Sequence, residues 1–395
     1  MDNEKRRMLF TIQWHITSLC PNRCKHCYID DKIDDSVTFE QFQSAYNRIC
    51  AFEKECNICI NNYNITGGDP LLNPHIRKIL SLLAEDGREI TILGTPESLS
   101  ETNIAMLKAY GIRHYQLSLD GMEGTHDKIR GQGSFQRTLC AVQRLTKNQI
   151  WPSIMYTVNS LNYHELVPLI KYLDEQKLTV SLTYDFMVGY FNHNFDMPNM
   201  LQPNEAEQVV RDYDNICNLL EHNNSTVKLL RKCPFNKLIA GLSERRINRH
   251  IENFPFCDGC ACGLYQLAIL PNGDAYPCRR LPIKVGNIYS DTFYEIFQNN
   301  ETMKQLRDSK SYTYCCDCMY FNVCRGCPAV SFFLCNDPFA QNPYCIYKEV
   351  VPTPHDTICQ TIDDIMQCEP NLKMNMRKED YWLRLVKIYQ KIATQ

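Results

Sequence analysis

The spacing of the cysteines constrains this chain more than any other feature. Three of its 22 cysteines lie at positions 20, 24 and 27, and eleven more lie between positions 257 and 345. The first residues, MDNEKRRMLFTIQWHITSLC, lack the apolar core and small-residue cleavage site of a secretory signal. We therefore expect a cytoplasmic protein, in which closely spaced cysteines bind metal rather than form disulfides.

Composition limits the possible partners. The 395 residues are 44% apolar, which is enough for a sizeable core and more than one globular unit. The formal net charge is −3, so the chain has no broad basic field of the kind that attracts nucleic acid. No apolar run reaches membrane-spanning length. We expect neither a nucleic-acid nor a membrane partner.

The first half of the chain predicts repeated βα units. From about residue 10 to 186, apolar or β-branched runs alternate with amphipathic stretches. Helices are predicted over 38–50, 74–85, 101–110, 135–146 and 163–175. The predicted strands are LFTIQWHI, ICINNYNIT, EITILG, HYQLSLD, SIMYTVN and TVSLTYDF. Six such units predict an α/β fold, a partial (β/α)6 TIM barrel over residues 1–186.

Three further segments follow the predicted barrel. Residues 187–256 are predicted to form a bridging region that contains a helix near 205–221. Residues 257–348 are rich in cysteine, glycine and proline, so metal is expected to supply much of their stability. Residues 349–395 are predicted to form a C-terminal helical tail.

The first cysteine group follows the first predicted strand. Cys20, Cys24 and Cys27 are therefore expected on the loop at the carboxyl end of that strand, where the active sites of barrels gather. Three thiolates can hold three irons of a [4Fe-4S] cluster and leave the fourth iron open to a substrate or cofactor. A structural zinc site is the alternative, but it would need a fourth ligand such as His26.

The CxxxCxxC spacing, followed by the aromatic Tyr28, resembles the signature of the radical S-adenosylmethionine (SAM) superfamily. The resemblance implies a cluster that binds SAM and cleaves it reductively to a 5′-deoxyadenosyl radical. It also implies a flavodoxin- or ferredoxin-type electron donor.

Two later motifs extend the resemblance. TGGDP at 66–70 is similar to the family's GGE motif with Asp in place of Glu, and such a turn can approach and receive a cationic amine. An ordinary strand-to-helix turn is the alternative. QLSLDG at 116–121, followed by HDKIRG, resembles peptide-modifying members, in which this strand end contacts the ribose and carboxylate of the cofactor. The cofactor-binding residues implied by the resemblance are Tyr28, Gly67, Gly68, Asp69, Ser118 for the ribose, Arg130 for the carboxylate, and Asn159.

The second cysteine group resembles the seven-cysteine SPASM domain, with Cys257 as an eighth thiolate. Two residues separate Cys324 from Cys327, where the family pattern usually has three. Two zinc ions are the alternative occupants, and Cys260, Cys316 and Cys335 leave the individual ligands open. The resemblance implies two auxiliary [4Fe-4S] clusters, one held by Cys257, Cys262, Cys278 and Cys327 and the other by Cys315, Cys318, Cys324 and Cys345. Together with the SAM-binding cluster, the chain would hold three clusters.

SPASM enzymes commonly modify peptides or proteins, so the resemblance implies a peptide or protein substrate that is crosslinked, joined through a thioether, epimerised or oxidised after hydrogen abstraction. Only about ten residues precede the barrel. Recognition of a precursor peptide would therefore need a separate protein, the bridging region or the C-terminal helices.

Other substrates and functions are also open. In sulfatase-maturing enzymes an Asp base follows the cysteine that corresponds to Cys278, but here Arg279 and Arg280 follow it. A guanidinium cannot act as that base, so sulfatase maturation is a lesser alternative, and these arginines indicate a carboxylate-bearing substrate. A small-molecule or cofactor-precursor enzyme is another alternative. The last is a noncatalytic iron–sulfur carrier or zinc-stapled binding module.

Overall fold

The structure is a computed structural model that describes residues 6–27, 29, 34–189, 200–241, 259–318 and 320–347. The predicted ligand Cys257, the predicted cofactor contact Tyr28 and the predicted tail at 349–395 lie outside these ranges.

The predicted α/β barrel is confirmed. Its six parallel strands are hydrogen-bonded in sequence order: β1 (Arg6–His15), β2 (Ile58–Thr66), β3 (Glu89–Leu93), β4 (His114–Ser118), β5 (Trp151–Val158) and β6 (Val180–Phe186). The helices between them are α1 (Phe39–Cys56), α2 (Ile76–Glu85), α3 (Glu101–Ala109), α4 (Glu123–Arg130), α5 (Ser134–Lys147) and α6 (Leu166–Glu175).

Local sequence signals fix the ends of α1 and its buried face. Thr38 and Gln41 form a capping box at its amino end, in which each side chain accepts a hydrogen bond from the other residue's backbone N–H. Phe42 stacks on Trp14 of β1, with ring centroids 4.2 Å apart, and both side chains are fully buried. The helix therefore covers the outer face of the strand that leads into the first cysteine group.

The sheet continues beyond the six predicted strands at both edges. From the bridging region, α7 (Pro203–His222) leads to β7 (Val227–Leu229), which pairs in parallel with β6, and α8 (Pro234–Gly241) follows. At the other edge, β8 (Gln266–Ile269) pairs in parallel with β1. β8 is followed by the antiparallel β9 (Asp274–Tyr276) and β10 (Gly286–Asn287). Strands from three predicted segments thus share one ten-stranded sheet.

The cysteine-rich region continues as short helices over Glu301–Arg307, Phe321–Cys324 and Pro328–Cys335. Besides the pairing of β8 with β1, aromatic rings join this region to the barrel: the Phe10 ring on β1 lies 5.9 Å from the Phe293 ring and 4.9 Å from the Phe297 ring, centroid to centroid. All three rings are buried. Among the described residues, no helix is both long and apolar enough to cross a membrane.

Candidate active site

A cavity of about 500 Å³ opens at the carboxyl ends of the barrel strands and is called here the upper cavity. This volume lies within the range of about 300–1,000 Å³ that is usual for ligand pockets. The cysteine-rich region closes one side of it with Cys260, Cys278, Arg279 and Arg280. The predicted site residues that line it are Cys20, Cys24, Cys27, Gly67, Gly68, Ser118, Arg130 and Cys278.

Gly67 and Gly68 hold the first cysteine loop against the end of β2. The Gly68 N–H donates to the Thr17 carbonyl at 2.7 Å, and the Asp69 N–H donates to the Leu19 carbonyl at 2.6 Å. A Cβ on Gly68 would lie 2.2 Å from the Leu19 carbonyl oxygen, and Gly67 has a φ of +149°. Both positions therefore need glycine so that the backbone before Cys20 can pack against this turn.

Asp69 lies behind the cavity wall rather than on it. Its carboxylate is fully buried and accepts hydrogen bonds from the Thr95 hydroxyl at 2.5 Å and the Leu71 N–H at 3.0 Å. Burial raises the pKa of Asp69, and these hydrogen bonds partly oppose the rise. Thr95 lines the cavity, so Asp69 acts on the site by positioning the loop after β3.

Arg130 joins the end of β4 to the first cysteine loop. The Nε of Arg130 donates to the fully buried Asp120 carboxylate. Its Nη2 lies 3.2 Å from His26 Nε2, and its Nη1 lies 3.7 Å from Cys24 Sγ. Burial pushes the pKa of Asp120 upward, but the Arg130 charge and other nearby groups outweigh burial and hold it below its usual value. Burial, aided by Arg130, lowers the pKa of His26 to about 4. The guanidinium thus places a positive charge beside a predicted cluster thiolate.

Asn159 is not brought to the upper cavity. Its Oδ1 accepts from the Leu161 N–H at 2.9 Å, and its N–H donates to Asn162 Oδ1 at 2.7 Å, so it forms a turn after β5. Asp127 has a similar local role, since it accepts from the Gly133 and Phe135 N–H groups at the start of α5.

The cysteines of the second group form two sets. In the first set, the Cys260 and Cys262 thiols share a hydrogen bond and interact electrostatically with Cys278, which also interacts with Cys327. The second set contains four of the predicted ligands, namely Cys315, Cys318, Cys324 and Cys345. Cys335 is exposed, with its Sγ 3.8 Å from the Gln341 carbonyl, and is a member of neither set.

The chemistry of both sets fits iron–sulfur clusters. Burial raises the pKa of Cys315 and of Cys327 to about 12, so these thiols would stay protonated at neutral pH without a metal. Metal coordination supplies the positive charge that stabilises the thiolates. Within the described ranges, no group of three or more His, Cys, Asp or Glu side chains is arranged to hold a single metal ion.

Arg325 lies beside the first set, and sequence reasoning missed it. Its side chain is buried and donates to the carbonyl oxygens of Cys260 at 2.5 Å and Leu306 at 2.6 Å. Its Nε has no hydrogen-bond partner among the described atoms. A charged residue between Cys324 and Cys327 in Cys-Arg-Gly-Cys was the available signal.

The bridging region adds cations to the upper cavity that also escaped prediction. Lys232 and Lys237 follow β7 and line the cavity together with Arg279 and Arg280. Asp185, at the end of β6, is the one carboxylate among the described lining residues, and its Oδ1 accepts from Arg280 Nη1 at 2.7 Å. Cations therefore outnumber carboxylates among the described residues of this wall, although burial lowers the pKa of Lys232.

Two family models match the chain on either side of this cavity. The radical SAM superfamily model matches residues 14–173, and the SPASM iron–sulfur cluster-binding domain model matches residues 257–328. The chain belongs to the radical SAM superfamily, carries a SPASM domain and is an enzyme of this class. The predictions of the family, of SAM and of iron–sulfur clusters are confirmed.

Individual relatives differ in what they make. An AdoMet-dependent heme synthase from Methanosarcina barkeri is 25% identical over 85% of this chain and 96% of its own. Mycofactocin maturase MftC from Mycobacterium tuberculosis is 23% identical over 86% of this chain and 84% of its own. A solved structure of native anSMEcpe with bound AdoMet and Cp18Cys peptide is 17% identical, covers 97% of this chain and 99% of its own, and has a TM-score of 0.66, which supports the fold.

Proposed function

We propose that this radical SAM/SPASM enzyme modifies a carboxylate-bearing cofactor precursor of the tetrapyrrole class. The observation that carries the proposal is the excess of cations on one wall of the upper cavity, where the described lining residues include Lys232, Lys237, Arg279 and Arg280 but one carboxylate, Asp185. Such a wall favours an anionic substrate. The heme synthase relative supports the tetrapyrrole class, since haem is a tetrapyrrole.

The two sides of the upper cavity have different roles, one in binding SAM and the other in binding the substrate. When bound at the first cysteine loop, the cluster and SAM supply a radical that takes a hydrogen atom from a substrate C–H bond. The Gly67–Gly68 turn holds that loop in place, and Ser118 lies at the cavity wall within the same pocket. The arginines and lysines opposite would bind substrate carboxylates and orient the reacting carbon toward the loop.

Two auxiliary clusters, and so three clusters in all, are part of this proposal. Cys260 and Cys278 of the first set line the same cavity as Cys20 and Cys24. A substrate in the cavity would therefore lie between the SAM-binding cluster and an auxiliary cluster. An electron donor of the flavodoxin or ferredoxin type completes the proposal.

Anaerobic turnover tests the substrate class. The reconstituted enzyme is incubated with SAM, a reductant and either a tetracarboxylate iron porphyrin or its tetramethyl ester, and products are identified by mass spectrometry. We expect 5′-deoxyadenosine and a changed porphyrin mass with the acid and neither with the ester. Arg279→Ala and Arg280→Ala should each weaken binding of the acid. Unchanged porphyrin mass, or equal binding by both arginine variants and the wild type, would contradict the proposal.

A peptide substrate is the second candidate, because the mycofactocin maturase relative spans most of the chain and the similar solved structure holds a peptide. In this case a separate peptide-recognition protein would be a partner. The same assay with short acidic peptides in place of the porphyrin separates the candidates. A SAM-dependent change in peptide mass, with no change in porphyrin mass, would select the peptide.

A further inference from the structure

The interior of this barrel carries many polar side chains. Closed TIM barrels usually fill their interior with bulky branched side chains. Here the interior positions of β3 to β6 include Thr91, Gln116, Ser153 and Ser181, whereas their neighbours on the outer face, such as Ile92 and Ile154, are buried. Small polar side chains do not fill the interior, so a second cavity of about 430 Å³ remains there. We call it the lower chamber.

The lower chamber adjoins the upper cavity. Asn64, Leu93, Gln116 and Lys232 line both spaces. The lower chamber extends toward the amino-terminal ends of the strands, where His114 is the first residue of β4. At about 3.3 Å per strand residue, His114 lies about 13 Å below Ser118, which lines the upper cavity. A substrate that occupies both spaces must therefore be an extended molecule.

The lower chamber is also cationic. Lys228 on β7 and Lys232 line it with His114, and no carboxylate does so among the described residues. The Lys228 ammonium lies 4.8 Å from the centroid of the Trp151 ring, which holds it at the chamber. Lys232 interacts electrostatically with Asp185, whose carboxylate is paired with Arg280, and burial lowers the pKa of Lys232. Lys228 is exposed at the open end of the chamber and Lys232 lies between the two spaces, so both ammonium groups can receive an anionic group that enters the chamber.

We propose that the lower chamber is a carboxylate subsite, in which Lys228 and Lys232 bind one acidic arm of the substrate while its reacting carbon lies in the upper cavity. The inference rests on the proposed function and adds to it a second contact point for the substrate. A carboxylate bound there fixes the rotation of the macrocycle about the cavity axis, so the chamber selects which arm faces the SAM-binding loop.

The test compares binding and turnover of the tetracarboxylate iron porphyrin in reconstituted holoenzyme variants. Lys228→Met keeps the length of the side chain but removes the charge, and Lys228→Arg restores the charge. Lys108→Met is the matched control, because Lys108 lies exposed on α3, on the outside of the barrel. We expect Lys228→Met to raise the Kd and KM about tenfold with kcat little changed, as for the loss of one charged hydrogen bond. Lys228→Arg and Lys108→Met should bind like the wild type.

The outcomes separate this subsite from the proposed function. Turnover of the porphyrin with the same KM in Lys228→Met and wild type would overturn the subsite and leave the function standing. Tenfold weaker binding by Lys228→Met, with rescue by Lys228→Arg but no change in porphyrin mass in any variant, would support the subsite and overturn the function. If the wild type does not bind the porphyrin, both are overturned.

Discussion

Asp69 shapes the active site without touching its cavity. The carboxylate accepts hydrogen bonds from Thr95 and Leu71 in a fully buried position. In Asp69→Ala both donors would lose their partner, which costs about 3 kcal/mol of unfolding free energy and weakens SAM binding. Asp69→Asn keeps an acceptor in the same place and should lose about 1 kcal/mol. Anaerobic urea titration measures the free energy of unfolding, and equilibrium dialysis with SAM measures cofactor binding. Equal stability of Asp69→Ala and the wild type would exclude this role of Asp69.

His126 should make stability depend on pH. Its Nδ1 accepts from the Asp120 N–H at 2.9 Å, which requires a neutral ring, and burial lowers its pKa to about 4 from 6.5. Between these values the unfolded chain takes up a proton that the folded chain does not. The free energy of unfolding should therefore fall as pH falls through this window, by up to about 1.4 kcal/mol per pH unit for this residue. Urea titrations from pH 7 to 4 should give a flatter slope for His126→Asn, and an unchanged slope would contradict the assignment.

Arg325 should set the reduction potential of an auxiliary cluster. Its buried charge contacts the Cys260 carbonyl, and a nearby cation stabilises the more negative reduced state of a cluster. At an effective dielectric constant of about 20, one nearby charge is worth about 2–4 kcal/mol, so Arg325→Met should lower the midpoint potential by roughly 100 mV. Arg325→Lys keeps the charge and should stay near the wild type. Redox titration followed by electron paramagnetic resonance, with Cys20, Cys24 and Cys27 replaced by Ala, isolates the auxiliary clusters, and equal potentials would refute this effect.

At the scale of elements, prediction succeeded where periodic patterns were long. The six barrel strands alternate with amphipathic helices, and all six were located from that pattern. β7 and β8 have only three and four residues, too few for a periodic pattern, and their pairing with β6 and β1 depends on distant parts of the chain. The helix α4 was missed because its residues are mostly polar.

The active site was predictable where its residues have a local sequence signal. Cysteine spacing and glycine turns lie within short stretches of sequence, so candidate ligands and the Gly67–Gly68 turn could be proposed from the sequence. The hidden position of Asp69 depends on how the loops after β2 and β3 pack together. The contribution of Lys232 to the cavity depends on the placement of β7. Neither arrangement has a local sequence signal.

The aromatic contact between the barrel and the cysteine-rich region should be needed for folding. Phe293 packs on Phe10 and Phe52, with centroid distances of 5.9 and 4.9 Å. Phe293→Ala would leave a cavity there and cost about 3–5 kcal/mol. Tyr314→Ala is the control, because Tyr314 is 49% exposed, and it should change stability by less than about 0.5 kcal/mol. Anaerobic urea titration measures the free energy of unfolding of each variant. Equal values for both variants would mean that the aromatic contact adds little to stability.

At the scale of the whole molecule, the iron content of the protein is the most direct test of the proposal that it holds three clusters. Three clusters of four irons require about 12 iron atoms per chain. Replacing Cys20, Cys24 and Cys27 with Ala removes one cluster and should leave about eight. Because both auxiliary sets lie in the cysteine-rich region, this variant should keep its fold while it loses SAM cleavage. Iron analysis and the yield of 5′-deoxyadenosine measure the two consequences.

The same measurement identifies the fourth thiolate of the first auxiliary set. Cys257 was the predicted ligand, but the described residues place Cys260 beside Cys262 and in electrostatic contact with Cys278. We therefore expect Cys260→Ala to lose about four irons per chain and Cys257→Ala to keep them. Cys335→Ala is a matched control, because that thiol is exposed and apart from both sets. Loss of iron from Cys257→Ala alone would restore the predicted ligand and leave the Cys260 thiol a neighbour of the cluster.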